Sequence, residues 1–329
     1  MESGIRPGAS KLLGFFSWQG NNWSFEQSSW LSYLIIAIAF FIIFLMMIYK
    51  VRIYQYINFQ SNNSKILKIF PSKDSLFQFI GYFGMFFFLL RIILLAVSGY
   101  PNQWELLPLH FCRLFLFLIF LAFIFKKHEF IKYFAFLSIG GAIIGLFISD
   151  LSNSPFWGQA NELFPEQFGR GGFDIGLDSY IFWDYFLAHS IALIIPVFVL
   201  TILKVKITKR DSQISIIISF IFTIFIFFLN WLLFEYASRE WKSNYFYIGR
   251  LVQITIFGKL SEWPLSLLTY IVLGIIIYYL IFWIWIFQDK FSFEVSKKYL
   301  IKKISLNKSQ NWIFYNSKYF VDLTKFRNK

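Results

Sequence analysis

Residues 30–49 read WLSYLIIAIAFFIIFLMMIY, twenty residues without one charge. A hydrocarbon core about 30 Å thick is crossed by roughly 20 apolar helical residues, so this stretch reads as a membrane span. It decides how the rest is read. Six further runs of similar character follow: Leu76–Ser98, Pro108–Phe125, Phe130–Ser149, Tyr180–Leu203, Ile214–Glu235 and Leu265–Phe287. The third and fourth spans are joined only by Lys126-Lys127-His128-Glu129, which suits a tight helical hairpin. Composition agrees, since 57% of the 329 residues are apolar and 15% charged, against about 45–50% and 25% in soluble domains. The expected fold is all-α integral membrane with seven transmembrane helices. Residues 1–29 form an N-terminal segment, 30–287 the membrane domain with an insertion at 152–179, and 288–329 a basic tail. The mixed, polar segment 1–29 shows no cleavable signal pattern.

Lysine and arginine placement gives the orientation, because cytoplasmic loops hold the excess. Segments 50–75, 126–129, 204–213 and 288–329 carry 21 of the 31 basic residues; the alternate segments carry 7. The loop 150–179 has five acids against the single Arg170. The expectation is therefore N-terminus outside and C-terminus inside, in a cell membrane. The net charge of +13 is accounted for by this sorting, and no nucleic-acid partner is expected. The tail from Asp289 alternates lysines with aromatics, which suits either an anionic leaflet or a solvated stop-transfer tail. Trp104, Trp157, Trp241 and Trp263 at the outer mouths read as an interfacial belt.

A charge at bilayer depth costs at least about 2.5–3.5 kcal/mol, so each polar residue within a span needs a partner or a cavity. Those residues are Arg91, His110, Cys112, Arg113, Asp150, Asp184, His189, Asn230 and Glu235; Lys132 can snorkel. By helical rise nearly all of them fall in the outer half of the membrane. His110 and Arg113, three residues apart, share a helix face. Cys112 lies about 200° around a regular helix from His110. A base for Cys112 would then come from His189 on another span, or from His110 if Pro108 distorts the first turn. The chemistry these residue types suit is nucleophilic: a thiolate attacking an ester, a histidine as base, and Arg91 and Arg113 steadying a headgroup. Each has a plain alternative. Cys112 can be a small core filler, His110 with Arg113 an interhelical network, and Asp150 and Glu235 the counter-charges of Arg91 and Arg113. Gly140-Gly141-Ala142-x-x-Gly145 reads as a small-residue packing face. One cysteine and three histidines give no basis for a metal or other cofactor.

Leu107-Pro108-Leu109-His110-Phe111-Cys112 resembles the signature opening the third span of the YwaF-like seven-span membrane proteins. Ile139-Gly140-Gly141-Ala142, Asp150-Leu151, Phe182-Trp183-Asp184-Tyr185-Phe186-Leu187-Ala188-His189 and Asn244-Tyr245-Phe246-Tyr247 resemble further elements of that family, in order. Gly258 with Trp263-Pro264 resembles the stretch before its last span. The resemblance covers roughly 76–287 and departs at Ser149, at the insertion and at the tail. It implies a seven-helix fold and, through animal relatives regarded as cysteine-dependent phospholipid acyltransferases, Cys112 as nucleophile with His110 or His189 in support. Asn244 and Tyr245 enter the candidate substrate site through this resemblance, beside Arg91, Arg113, Asp150, Asp184 and Asn230. Prolipoprotein diacylglyceryl transferase is set aside, because Gly169-Arg170-Gly171-Gly172-Phe173 lacks the asparagine of its motif. The expected function is a membrane-embedded, acyltransferase-like protein acting on a lipid ester at the outer leaflet, with membrane lipids as partners. Against it stand a non-catalytic transporter with a polar pocket and a scaffold gathering a membrane-protein partner through the tail.

Overall fold

The computed structural model describes residues 10–18, 22–58, 65–100, 102–149, 151, 175–250, 257–294 and 303–316. Among them, six helical segments are long and apolar enough to cross a membrane. These are α1 (Phe25–Asn58), α2 (Lys73–Ser98), α3 (Phe111–Ile124) with the 3-10 turn Gln103–Leu106 before it, α5 (Tyr180–Thr201), α6 (Lys209–Tyr236) and α7 (Leu265–Gln288). The protein is an all-α, multi-pass membrane protein.

The expected seven spans are corrected at Phe130–Ser149. The chain there makes a 3-10 turn, His128–Tyr133, and then α4, Ala135–Phe147, of only 13 residues. Such a helix is about 20 Å long, short of a bilayer core of about 30 Å. Its position explains how it tolerates this. α4 packs against α3, α5 and α7, and Ala135, Phe136 and Ala142 are wholly buried. Irregular backbone at membrane depth is tolerated where protein, not lipid, surrounds it, and Ile131 in the preceding turn is buried as well. Lys132 in that turn pairs with Asp211 of α6 at 2.8 Å, so it is tied to protein and not left to snorkel.

Local chemistry sets the helix ends. Ser72 with Ser75 and Thr208 with Asp211 form capping boxes that start α2 and α6, satisfying first-turn N–H groups. Gly99, at φ 71°, ends α2 in the left-handed conformation glycine favours. The outer helices turn phenylalanines to lipid: Phe79, Phe83, Phe86 and Phe87 of α2 are all exposed. Residues 10–18, before α1, are tied to the end of α2, because Trp18 is buried and its indole N–H donates to the Ser98 carbonyl at 3.0 Å. After α7 come a two-stranded antiparallel hairpin, β1 (Phe291–Glu294) with β2 (Lys303–Leu306), and α8 (Gln310–Asn316).

Candidate functional site

Four charged side chains from three helices and one turn meet in a closed cluster. Arg91 of α2 donates from Nε to Asp184 Oδ2 at 2.9 Å and from Nη1 to the Glu105 carbonyl at 2.8 Å. Its Nη2 lies 3.4 Å from the Glu105 carboxylate. Arg113 of α3 grips the same Asp184 with two guanidinium nitrogens, Nη1 to Oδ1 at 2.9 Å and Nη2 to Oδ2. Tyr100 completes the set by donating to Glu105 Oε1 at 3.0 Å. Two cations face two anions, so the cluster is formally neutral. That balance is what charged groups at membrane depth require.

The counter-charge role expected of Glu235 is thus corrected. Glu235 pairs with Arg250 at 2.7 Å, and Asp150 lies outside the described residues. Asp184 and Glu105 neutralise the two arginines instead. Glu105 lies between the second and third apolar runs, and the 3-10 turn Gln103–Leu106 folds it back to Arg91.

Beside this cluster lie Cys112, His189 and His110. Cys112 sits in the first turn of α3 and His189 on α5, and both border the glycine strip of α4. A Cβ placed on Gly141 would lie 3.6 Å from Cys112 Sγ and 2.5 Å from the Phe111 ring. A Cβ on Gly145 would lie 2.3–2.5 Å from His189 Cδ2 and Nε2. The two glycines are one turn apart on one face, so thiol and imidazole border consecutive turns of the same strip. His189 Nδ1 is 2.7 Å from the Tyr185 carbonyl. A carbonyl only accepts, so Nδ1 carries the proton and Nε2, on the glycine side, has the free lone pair. Tyr185 also donates to the Gly145 carbonyl at 2.7 Å, fixing α5 to α4 at that turn.

His110 takes a different direction. It precedes α3 in extended conformation (φ −70°, ψ 142°), so the regular-helix geometry assumed for its relation to Arg113 and Cys112 does not apply. Its ring packs edge-on to Tyr247 at 4.7 Å and near Trp104 at 6.2 Å. Its Nδ1 is buried without a hydrogen-bond partner.

The remaining predicted residues build the wall behind His110. Asn230 of α6, wholly buried, donates to the Tyr245 carbonyl at 2.8 Å. It accepts from Ser243 Oγ at 2.8 Å and from the Tyr245 N–H at 2.9 Å. Asn244 accepts from the Gly249 N–H at 2.8 Å, and the Tyr245 hydroxyl donates to the Trp104 carbonyl. All three residues are 0% exposed, so they shape the loop after α6 and do not face open space as substrate contacts would. Trp104, expected at the interface, is buried within this wall. The bonds hold Phe246 and Tyr247 at φ 59° and 58°, a conformation costing roughly 1–2 kcal/mol for each side-chain-bearing residue. Its effect is to set Phe246 against Phe111 at 5.1 Å and Tyr247 against His110. Burial pushes the Tyr247 phenol above the usual tyrosine range, and nearby Cys112 and Glu105 add to the shift. Tyr247 therefore stays protonated. Among the described residues, no group of three histidine, cysteine or acidic side chains is placed to hold a metal.

A family model matches residues 22–282, about four-fifths of the chain, and takes in every element of this site. The chain belongs to the TMEM164 family. No curated protein and no solved structure matches it. The TMEM164 match overturns the YwaF-like resemblance. All the motifs quoted for that resemblance fall inside 22–282, and short runs of two to eight residues in a helical membrane chain did not separate one family from the other. The TMEM164 region includes Cys112, His110, His189 and both arginines, and it stops within α7, before the hairpin and α8.

Proposed function

We propose that this TMEM164 family protein is a lipid acyltransferase that carries the acyl group on Cys112, with His189 as its base. The observation supporting this reading most directly is the shared glycine strip, with Cys112 Sγ at Gly141 and His189 Nε2 at Gly145. In the first step the Cys112 sulfur attacks the ester carbonyl of a phospholipid while His189 Nε2 takes the thiol proton. The carbon–oxygen ester bond breaks, His189 returns the proton to the leaving alkoxide, and a lysolipid departs, leaving an acyl thioester. In the second step an acceptor hydroxyl attacks that thioester, His189 takes its proton, and the thiol is restored. Splitting one transfer into two in this way is the usual gain from a covalent nucleophile.

In this reading the two arginines are positioning residues. Their guanidinium groups are engaged by Asp184 and Glu105, which fixes α2, α3 and α5 around the thiol. His110 and Tyr247 form the wall against which the ester would lie. The basic-residue bias supports an orientation with the N-terminus outside and this site nearer the outer leaflet.

The test uses purified full-length protein in vesicles of phospholipid with a labelled acyl chain. Label should appear on the protein in a hydroxylamine-labile bond and be absent from Cys112→Ala. His189→Gln should slow labelling about a hundredfold or more, as loss of a general base does. Equal labelling of Cys112→Ala and the unaltered protein would remove the cysteine mechanism.

A further inference from the structure

The TMEM164 match ends at residue 282, and beyond it the chain builds a small structure at the basic end of the bundle. Trp283, Ile284 and Phe287 on the last turns of α7 are more than half exposed. On a membrane span, such residues face lipid. Trp312 of α8 stacks on Trp283, with ring centroids 5.5 Å apart and planes 28° from parallel. Asn311 adds hydrogen bonds to the Trp285 carbonyl and to Asp289. α8 is thereby held level with the end of the span.

Its two sides differ in chemistry. Trp312 and Ile313 are 41% and 50% exposed, and Ile304 and Leu306, two apart on one face of β2, are 57% and 70% exposed. On the other side, Phe314 lies under Lys206 Nζ at 4.7 Å and Tyr315 is 6.0 Å from Lys209 Nζ. Lys50 of α1 donates to the Phe291 carbonyl at 2.8 Å, which ties the hairpin to a second span. An open apolar face beside a collar of ammonium groups, fixed at the depth where a span ends, matches the boundary of a leaflet bearing negative headgroups.

We propose that residues 303–316 form an in-plane anchor for the anionic lipid leaflet at the C-terminal end of α7. Trp312, Ile313, Ile304 and Leu306 enter the acyl boundary, and Lys206, Lys209 and Lys308 meet the headgroup phosphates. Charge complementarity selects this occupant over a soluble protein, because the face is level with lipid-exposed turns of a span.

Full-length protein carrying Ile313→Cys in a Cys112→Ser background, nitroxide-labelled, would be placed in phosphatidylcholine vesicles with or without phosphatidylserine. With phosphatidylserine present, the label should collide with oxygen in preference to a water-soluble nickel complex. Removing that lipid should move it toward nickel. Lys206→Gln with Lys209→Gln should lower the docked-to-undocked ratio roughly tenfold. A second label at Leu306→Cys should report the same change, which guards against a local disturbance at α8. A label equally open to nickel in both membranes overturns the anchor; one equally lipid-buried in both overturns its preference for anionic lipid.

Discussion

The Asp184 cluster and the Cys112, His110 and His189 group share α3 and α5, yet their polar atoms meet opposite fates. In the cluster, both guanidinium groups are engaged by carboxylates, and even the Glu105 carbonyl is used. In the other group, His110 Nδ1 has no partner, and His189 spends one nitrogen on its own helix while the other faces a glycine. A saturated network resists change and is suited to holding helices. An unsaturated one has capacity left for a substrate. In the function proposed above, adjacent polar groups divide the labour, with the charged ones building the frame and the neutral ones left to react.

The sharpest way to break this division is Asp184→Asn. It keeps the shape but strips the central anion, leaving Arg113 with no carboxylate and Arg91 with Glu105 alone. Removing one partner of a buried ion pair typically costs about 3–5 kcal/mol, and the Asp184 side chain is only 23% exposed. Thermal unfolding in detergent should show a large drop, with part of it recovered when Arg113→Leu is added. A double variant no better than Asp184→Asn would mean the cluster is not the frame.

Asn230→Leu probes the second saturated network, the one behind His110. It deletes three hydrogen bonds, strands the buried Tyr245 N–H, and leaves the Tyr245 carbonyl only the Ile248 N–H at 3.4 Å. An unsatisfied buried group costs about 1–3 kcal/mol, so a loss of roughly 2–3 kcal/mol is expected, smaller than for Asp184. The distinctive outcome is local. Phe246 and Tyr247, no longer held in the left-handed conformation, should relax, and protease sensitivity should rise in the loop after α6 before the bundle melts. Unchanged loop protection would separate Asn230 from the site wall.

What the sequence revealed divides along similar lines. Span positions were legible because length and hydropathy alone decide them; α5 and α7 begin at Tyr180 and Leu265 as read. The fourth span was overcounted because an apolar run can be a short interior helix as well as a crossing, and hydropathy does not distinguish lipid from protein as its surroundings. Polar residues inside apolar runs were also legible, so Arg91, Arg113, Asp184 and His189 were all singled out. Azimuth was not. Which carboxylate faces which arginine depends on helix rotation, and Glu105 was hidden by a 3-10 turn that no periodicity announces. Tyr247 lay within a noticed motif, but two successive bulky residues at positive φ are too uncommon for pattern reading to expect.

Gly145→Ala makes the finest cut, because it alters the surroundings of His189 while sparing the cluster. A methyl group there would overlap His189 Cδ2 and Nε2, which lie 2.3 and 2.5 Å from the new carbon. The imidazole must rotate or α5 must back away, and overpacking of this kind costs about 1–3 kcal/mol. Rotation would break the Nδ1 bond to Tyr185 and turn Nε2 from the strip it shares with Cys112. Thioester labelling should then fall by about tenfold or more, since misplacing a catalytic group by 1 Å can cost a hundredfold. The drop should exceed the fall caused by Ser138→Ala. That variant loosens the same helix pair by removing the Ser138 hydroxyl donated to the Ala192 carbonyl at 2.9 Å, two turns from Gly145 and one turn from Gly141 along α4. If the two variants lowered labelling equally, the glycine strip would be a packing surface with no special relation to His189. If Gly145→Ala alone abolished labelling while melting within a few degrees of the unaltered protein, the His189 Nε2 facing Gly145 would be what the reaction uses.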